Sequence, residues 1–238
     1  MFEKSFFKHV LESRELRKKR YGVTFMKKRK ISILGDSIST FAGYTPKEAV
    51  FYESYVQWES GVKSVEDTWW MQVIRAVDGE LGVNHSLAGS MVSGNLSTSA
   101  MSEERIAKLG DNGVPDCILV SAGCNDWGFC VLPEEFAEAY QLMLHRLKKQ
   151  YPHTDIWCAT IPEGKQPEGE AFFNIDSTIS KKVYSNIIRE AAIKAEVHIA
   201  DLAECQNEYE TMDGIHPDKA GMKTLADMWI GEIKKQAM

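Results

Sequence analysis

Ile31-Ser32-Ile33-Leu34-Gly35-Asp36-Ser37 is the stretch whose reading decides the fold. A short, almost unbroken apolar run that stops at a glycine and two polar residues is the signature of a strand buried on both faces. The same signature recurs from Val114 to Val120, from Asp155 to Ile161 and from Val197 to Leu202, and a further strand is expected near residues 80–84. Helical periodicity fills the intervals. From Pro133 to Tyr151, residues Phe136, Tyr140, Met143, Leu144, Leu147 and Tyr151 fall on one face, with Pro133 at the start and Lys148 and Lys149 near the end, where the helix dipole favours cations. Other helices are predicted at 67–77, 103–109, 181–196 and 218–235. Strands alternating with helices imply a mainly parallel sheet with helices on both faces, a three-layer α/β/α sandwich, because parallel strands need right-handed crossovers. Two surface loops, 41–66 and 162–178, should lie where ligands bind in open α/β sheets, beyond the C-terminal strand ends.

Composition sets the outer limits. The chain has 238 residues, 44% hydrophobic and 26% charged, enough apolar material for one substantial core. Its 10 Phe, 8 Tyr and 6 Trp exclude intrinsic disorder, and 17 Gly with 7 Pro exclude a collagen-like fibre. No apolar run approaches the ~18 to 20 residues of a membrane-spanning helix. Residues 1–30 hold eleven Lys or Arg against three Glu, whereas the rest of the chain holds 17 against 31 acidic residues. An acidic body of this kind argues against a nucleic-acid partner. Lys8 and His9 interrupt the apolar residues of the basic segment, so no secretory h-region follows and a cytoplasmic location is expected. The expected division is a basic extension, 1–30, and one catalytic-size domain, 31–238. Met26, ahead of Lys27-Lys28-Arg29-Lys30, offers an alternative start that would leave 1–25 as an upstream segment. Cys117, Cys124, Cys130, Cys158 and Cys205 contain no CxxC pair and fit neither a disulfide framework nor a zinc ribbon.

Ser37 stands where the first strand leaves the sheet, so its hydroxyl would face the crevice. A serine needs an adjacent base to become a nucleophile, and that base needs a carboxylate to hold its tautomer. Asp213-Gly214-Ile215-His216-Pro217 supplies such a pair just ahead of the last helix. Taken singly, a Gly-Asp-Ser string is an ordinary turn and an Asp-x-x-His a cap or solvated loop. Two further segments change this: Asn84-His85-Ser86-Leu87-Ala88-Gly89-Ser90, and Ser121-Ala122-Gly123-Cys124-Asn125-Asp126 at the end of another strand.

Together, Gly35-Asp36-Ser37, the Gly89 turn, Gly123-Cys124-Asn125-Asp126 and Asp213-x-x-His216-Pro217 resemble, in order, the four sequence blocks of the SGNH hydrolases, also called GDSL esterases and lipases. The resemblance spans Ile31 to the C-terminus. It implies a flavodoxin-like sheet of about five strands, with Ser37 as nucleophile, His216 as general base and Asp213 as the group orienting it. It also implies an oxyanion hole made by the backbone N–H groups of Ser37 and Gly89 and the side chain of Asn125, and no metal or organic cofactor. Asp36 and Asp126 are expected to fix turns by accepting backbone N–H groups. Ile38 stands where the family name has leucine, a packing change, and Cys124 fills a variable position as a small space-filler.

The implied partner is a small-molecule ester, and the oligomeric state is left open. Family members act on acetylated sugars, lysophospholipids, acyl thioesters and aryl esters. Eight aromatic residues crowd 41–70. Of these, Tyr44, Tyr52, Tyr55 and Trp58 are candidates for a platform under a sugar or acyl chain, and Trp69 and Trp70 are expected in the core. Phe172 and Phe173 could form the opposite wall. The first expectation is a short-chain, acetyl ester of a carbohydrate or small polyol. The alternatives are a lysophospholipase or acyl-thioesterase, an acyltransferase, and a non-catalytic carbohydrate-binding protein on the same fold.

Overall fold

A computed structural model describes residues 27–94, 96–167 and 179–236. Residues 1–25 with the alternative start at Met26, and the pair Phe172 and Phe173, lie outside the described residues. In chain order the elements are β1 (Arg29–Gly35), α1 (Ser54–Ser60), α2 (Trp69–Ala76), β2 (Gly79–Asn84), α3 (Glu103–Lys108), β3 (Cys117–Ser121), α4 (Cys124–Gly128) and α5 (Pro133–Gln150). They continue as β4 (Asp155–Ala159), β5 (Gly164–Lys165), α6 (Lys181–Ala195), β6 (His198–Ala200), β7 (Tyr209–Glu210) and α7 (Lys219–Gln236). Five strands form one parallel sheet in the order β2-β1-β3-β4-β6. This is the expected flavodoxin-like order, and it reverses direction between β1 and β3. The crevice of such a sheet opens at that reversal, so the residues that follow β1 and β3 become neighbours there. Gly35 at the end of β1 pairs with Ser121 at the end of β3.

Successive strand residues feed two cores, because side chains alternate across a strand. Ile31 and Ile33 of β1 point to the layer of α2 and α7, where Trp69, Trp70, Leu225 and Trp229 are buried. Trp69 and Trp229 stack with ring centroids 5.2 Å apart. Leu34, with Ile118 and Val120 of β3, faces the opposite layer, where Ile106 of α3, Leu144 and Leu147 of α5 and Ile188 of α6 are buried. Local chemistry starts four of the helices. Thr68, Ser102 and Ser180 accept a backbone N–H at the beginnings of α2, α3 and α6, and α5 begins with Pro133 followed by Glu134 and Glu135. No helix of the described residues is long and apolar enough to cross a membrane.

Several boundaries differ from the sequence reading: β4 ends at Ala159 rather than Ile161, β6 runs His198–Ala200 rather than Val197 to Leu202, and three further differences have a local cause. β1 starts at Arg29, two residues before the expected domain edge: Lys30 donates its backbone N–H to Asp116 Oδ2 at 2.7 Å, and Arg29 pairs with Asp155. These two cations therefore belong to the sheet. β3 starts at Cys117 rather than Val114, which is exposed, because Pro115 has no N–H to give a ladder and the Asp116 side chain is engaged with Lys30. Residues 41–66 are not a bare loop, since they contain α1, whose C-cap Gly61 has φ +73°. A second, two-stranded parallel sheet pairs Gly164–Lys165 with Tyr209–Glu210, and a bridge joins Thr211 to Pro217. Together they fasten the segment that holds His216.

Candidate active site

Gly35 ends β1 where a side chain has no room: a Cβ there would lie 2.7 Å from Ser39 Oγ and 2.9 Å from Ser86 Oγ. The chain then turns through one 3-10 segment, Ser37–Ser39. Asp36 stabilises the turn by accepting the Ile38 N–H at Oδ1, 3.1 Å, and Thr40 donates both its N–H and its hydroxyl to Ser37 O. Asp36 thus has the turn-fixing place expected of it. Burial pushes its carboxyl up to about 6, against the lowering pull of the Ile38 N–H and the nearby His216 and Arg105.

The second half of the site is an Asx turn. Asp213 Oδ1 accepts the backbone N–H groups of Ile215 (3.0 Å) and His216 (2.7 Å), and Gly214 supplies φ +89°. Oδ2 remains for the ring, and His216 Nδ1 lies 2.6 Å from it. On the other side of the ring, His216 Nε2 lies 2.8 Å from Ser37 Oγ, across 179 residues of chain. The carboxylate assigns the tautomer: Nδ1–H donates to Asp213, leaving Nε2 to accept from the serine hydroxyl. All three residues are buried, at 6 to 7% exposure, so these polar contacts are little diluted by solvent. Burial alone would raise the Asp213 carboxyl. The His216 ring and the two backbone N–H groups outweigh it and hold the carboxyl below its ordinary value. Such a chain can move a proton from the hydroxyl to the imidazole while stabilising the imidazolium that results.

Two candidate donors follow β2 and β3. Gly89 has φ +72° and is exposed, and nothing lies within 4 Å of where its Cβ would be, so a ligand could approach its backbone closely. Asn125, on α4 directly after β3, spends one amide hydrogen on Ser90 O at 2.8 Å and keeps its second. Asp126 accepts the N–H groups of Val92 (2.8 Å) and Ser93 (2.9 Å), which ties this turn to the segment after Gly89. Cys124 beside it has its thiol pushed up to about 12 by burial, which suits a space-filler. Behind the Ser37 turn, Asp36, Cys124, Thr160 and Tyr209 help to line a cavity of about 30 Å³. Among the described residues, no cluster of His, Cys, Asp or Glu has the arrangement of a metal site.

The structure brings Ser37, Asp213 and His216 into one hydrogen-bonded chain, and it separates the four aromatic candidates. Tyr52 is not at the surface. It is fully buried and donates its hydroxyl to Pro217 O at 2.7 Å, so it holds the histidine segment and has no face for a ligand. Tyr55 and Trp58 are exposed on α1, 66% and 69%, with ring centroids 6.1 Å apart. Tyr44 is 45% exposed and leans on Phe41 and Trp70. Sequence reasoning passed over three contributors. Phe51 stacks on the His216 ring, centroids 3.7 Å apart and planes 14° from parallel. Tyr209 donates to Ile215 O at 2.8 Å. Arg105 is buried under the ends of β1 and β2. The aromatic crowding at 41–70 pointed toward Phe51 without singling it out, and nothing in the α3 sequence distinguishes Arg105.

Residues 29–233 match the family model described as GDSL-like Lipase/Acylhydrolase. Among solved structures, a GDSL-like lipase candidate from Bacteroides ovatus superposes with a TM-score of 0.68 at 22% identity, over 88% of this chain and 100% of that one. The carbohydrate acetylesterase Est24 from Sinorhizobium meliloti gives 0.64 at 18%, over 88% and 99%. The native aryl esterase of M. smegmatis gives 0.61 at 16%, over 87% and 99%. No curated protein matches the sequence.

Proposed function

The chain belongs to the GDSL-like lipase/acylhydrolase family, and from that premise we propose that it is a serine esterase that works through an acyl-enzyme on Ser37, with a short acyl ester of a carbohydrate or small polyol as substrate. The observation that carries the reading is the buried chain Ser37 Oγ, His216 Nε2, His216 Nδ1, Asp213 Oδ2, at 2.8 and 2.6 Å. Ser37 Oγ attacks the ester carbonyl carbon as its proton passes to His216 Nε2. The carbonyl oxygen becomes an oxyanion and takes hydrogen bonds from the N–H groups of Ser37 and Gly89 and the free amide hydrogen of Asn125. Collapse breaks the bond to the alcohol, which leaves with the proton from His216. Water, deprotonated by the same imidazole, then releases the acyl group as an acid. Asp213 stays ionised throughout and keeps the ring in register.

Two observations support the substrate class. Exposed Tyr55 and Trp58 on α1 offer ring faces of the kind that lie against the C–H faces of sugars. Est24, of similar fold, is by its name a carbohydrate acetylesterase. Initial rates on p-nitrophenyl esters from acetate to decanoate, for wild type and Ser37→Ala together, test the reading. A peak at acetate and a loss on the order of 10⁴ in the variant are expected, followed by acetate release from acetylated xylose or glucose. A peak at eight carbons or more would move the substrate to a lipid or thioester. Equal rates in the two proteins would remove Ser37 as nucleophile.

A further inference from the structure

Arg105 is the most deeply buried cation of the described chain, 1% exposed, although it lies on a short surface helix next to Glu103 and Glu104. Burying a guanidinium is costly unless all its donors are used, and here they are. Nη2 donates to Gly35 O at 2.9 Å and to His85 O at 2.7 Å, Nη1 donates to Thr98 O at 2.6 Å and to Ser90 Oγ, and Nε reaches His85 Nδ1 at 3.4 Å. Every acceptor is neutral. Among the described residues no carboxylate lies within ion-pair distance of Arg105, and Asp36 pulls on its charge only from farther off. A residue retained only for packing would be served as well by methionine or leucine.

The places it grips explain the choice. Gly35 is two residues before Ser37, and Ser90 directly follows Gly89. Ser90 O in turn accepts the Asn125 amide at 2.8 Å. One planar fork therefore spans the end of β1, the end of β2 and the Gly89 turn, and through Ser90 it reaches the third donor. We infer that Arg105 is a positioning residue for the oxyanion hole: its guanidinium sets the spacing of the Ser37, Gly89 and Asn125 donors and contributes a buried positive charge that favours the tetrahedral oxyanion. The inference rests on the esterase reading and deepens it. Burial lowers the Arg105 guanidinium to about 10, against the pull of Asp36, and it remains a cation at neutral pH. The same burial and the neighbouring charge of Arg105 lower His85 to about 4, so His85 is neutral and can accept at Nδ1. The fork alone spans these sites, because a lysine ammonium delivers its three donors from one point.

The experiment compares wild type with Arg105→Lys, Arg105→Met and Ser90→Ala, using p-nitrophenyl acetate kinetics, inhibition by phenylboronic acid and thermal melting. Phenylboronic acid forms an anionic tetrahedral adduct with an active serine and so reports on the oxyanion site. For Arg105→Met, kcat should fall by on the order of 10² with KM within about twofold, and the boronate Ki should rise in parallel with the loss in kcat/KM. Arg105→Lys keeps the charge and should recover about a third of that loss on a logarithmic scale. If either buried variant fails to fold, Ser90→Ala still decides. It removes one arm of the fork, and kcat should fall about three- to tenfold with the boronate Ki following it. Variants that lose melting temperature but keep kcat and boronate affinity, or that raise KM alone, would make Arg105 a structural residue only and overturn the inference. Activity surviving in Ser37→Ala would instead overturn the esterase reading beneath it.

Discussion

Replacing Asp213 by Asn isolates what its carboxylate does, because the side chain has two separate tasks. Oδ1 holds the N–H groups of Ile215 and His216 at 3.0 and 2.7 Å, and Oδ2 faces His216 Nδ1 at 2.6 Å. Asparagine can do the first task only with its oxygen, which places its NH2 group against Nδ1. Nδ1 must then accept, the proton moves to Nε2, and Nε2 points that proton at Ser37 Oγ, 2.8 Å away. The serine loses its base while every backbone contact of the turn is kept. Loss of the correct tautomer costs on the order of 10⁴ in kcat, about 5.4 kcal/mol at 1.36 kcal/mol per decade. Global stability should fall much less, by about 1 to 2 kcal/mol, as one charge-assisted hydrogen bond becomes a neutral one. Steady-state kcat on p-nitrophenyl acetate, with urea unfolding of the same preparations, measures both. A loss of kcat below about tenfold in a folded Asp213→Asn protein would refute the tautomer argument. The wild-type contribution also has a sign in pH. Because the folded carboxyl is held below its unfolded value, its stabilisation is present above about pH 4 and is lost as pH falls through the folded value.

Three other outcomes are expected. Asn125→Ala removes an oxyanion donor and the tie to Ser90 O, and kcat should fall on the order of 10² to 10³ in single-turnover acylation, with an unchanged rate counting against the oxyanion assignment. Asp36 is buried with its pKa raised from 3.8 to about 6, so its contribution to stability is fully present below pH 4 and is lost as pH rises through 6. Urea titrations of Asp36→Asn against wild type between pH 4 and 7.5 should therefore show the variant gaining on the order of 3 kcal/mol relative to wild type across that interval, and a flat difference would show that the raised value is wrong. Tyr52→Phe leaves the Pro217 carbonyl without its 2.7 Å donor. The loss should cost about 1 kcal/mol and lower Tm by about 2 to 4 °C, and an unchanged Tm would mean that this bond does not hold the histidine segment.

Much of this molecule is written in local pattern. Ile31, Ile33 and Leu34 supply apolar side chains to both faces because β1 lies between β2 and β3 with helices above and below, and Ser32 among them is buried with its hydroxyl donated to Leu109 O. The helical face of Phe136, Tyr140, Met143, Leu144 and Leu147 is equally local, and all five are buried. Singly, the strings holding Ser37, Asp213 and His216 read as a turn and a cap, and Ser37, Gly89, Asn125, Asp213 and His216 were singled out only by the resemblance of four such strings, in order, to the blocks of the SGNH hydrolases. Tyr52 and Tyr55 show where this ends. They stand three residues apart in one aromatic cluster, yet one is fully buried against Pro217 and the other is 66% exposed. Both are tyrosines, and only tertiary packing, which buries Tyr52 against Pro217 and leaves Tyr55 on the open side of α1, separates them.

The sequence by itself determined the strand-helix alternation and the parallel sheet, because these follow from the periodicity of apolar residues, whereas the serine, histidine and aspartate stood out through the resemblance of their short strings to family blocks. Tertiary structure alone decided that His216 comes within 2.8 Å of Ser37, that Phe51 stacks on its ring, and that Arg105 clasps two strand ends and Ser90. Those contacts join residues from 15 to 179 positions apart. Contacts between such distant residues leave no periodic trace along the chain, since they depend on how the strands are ordered and which ends the turns bring together.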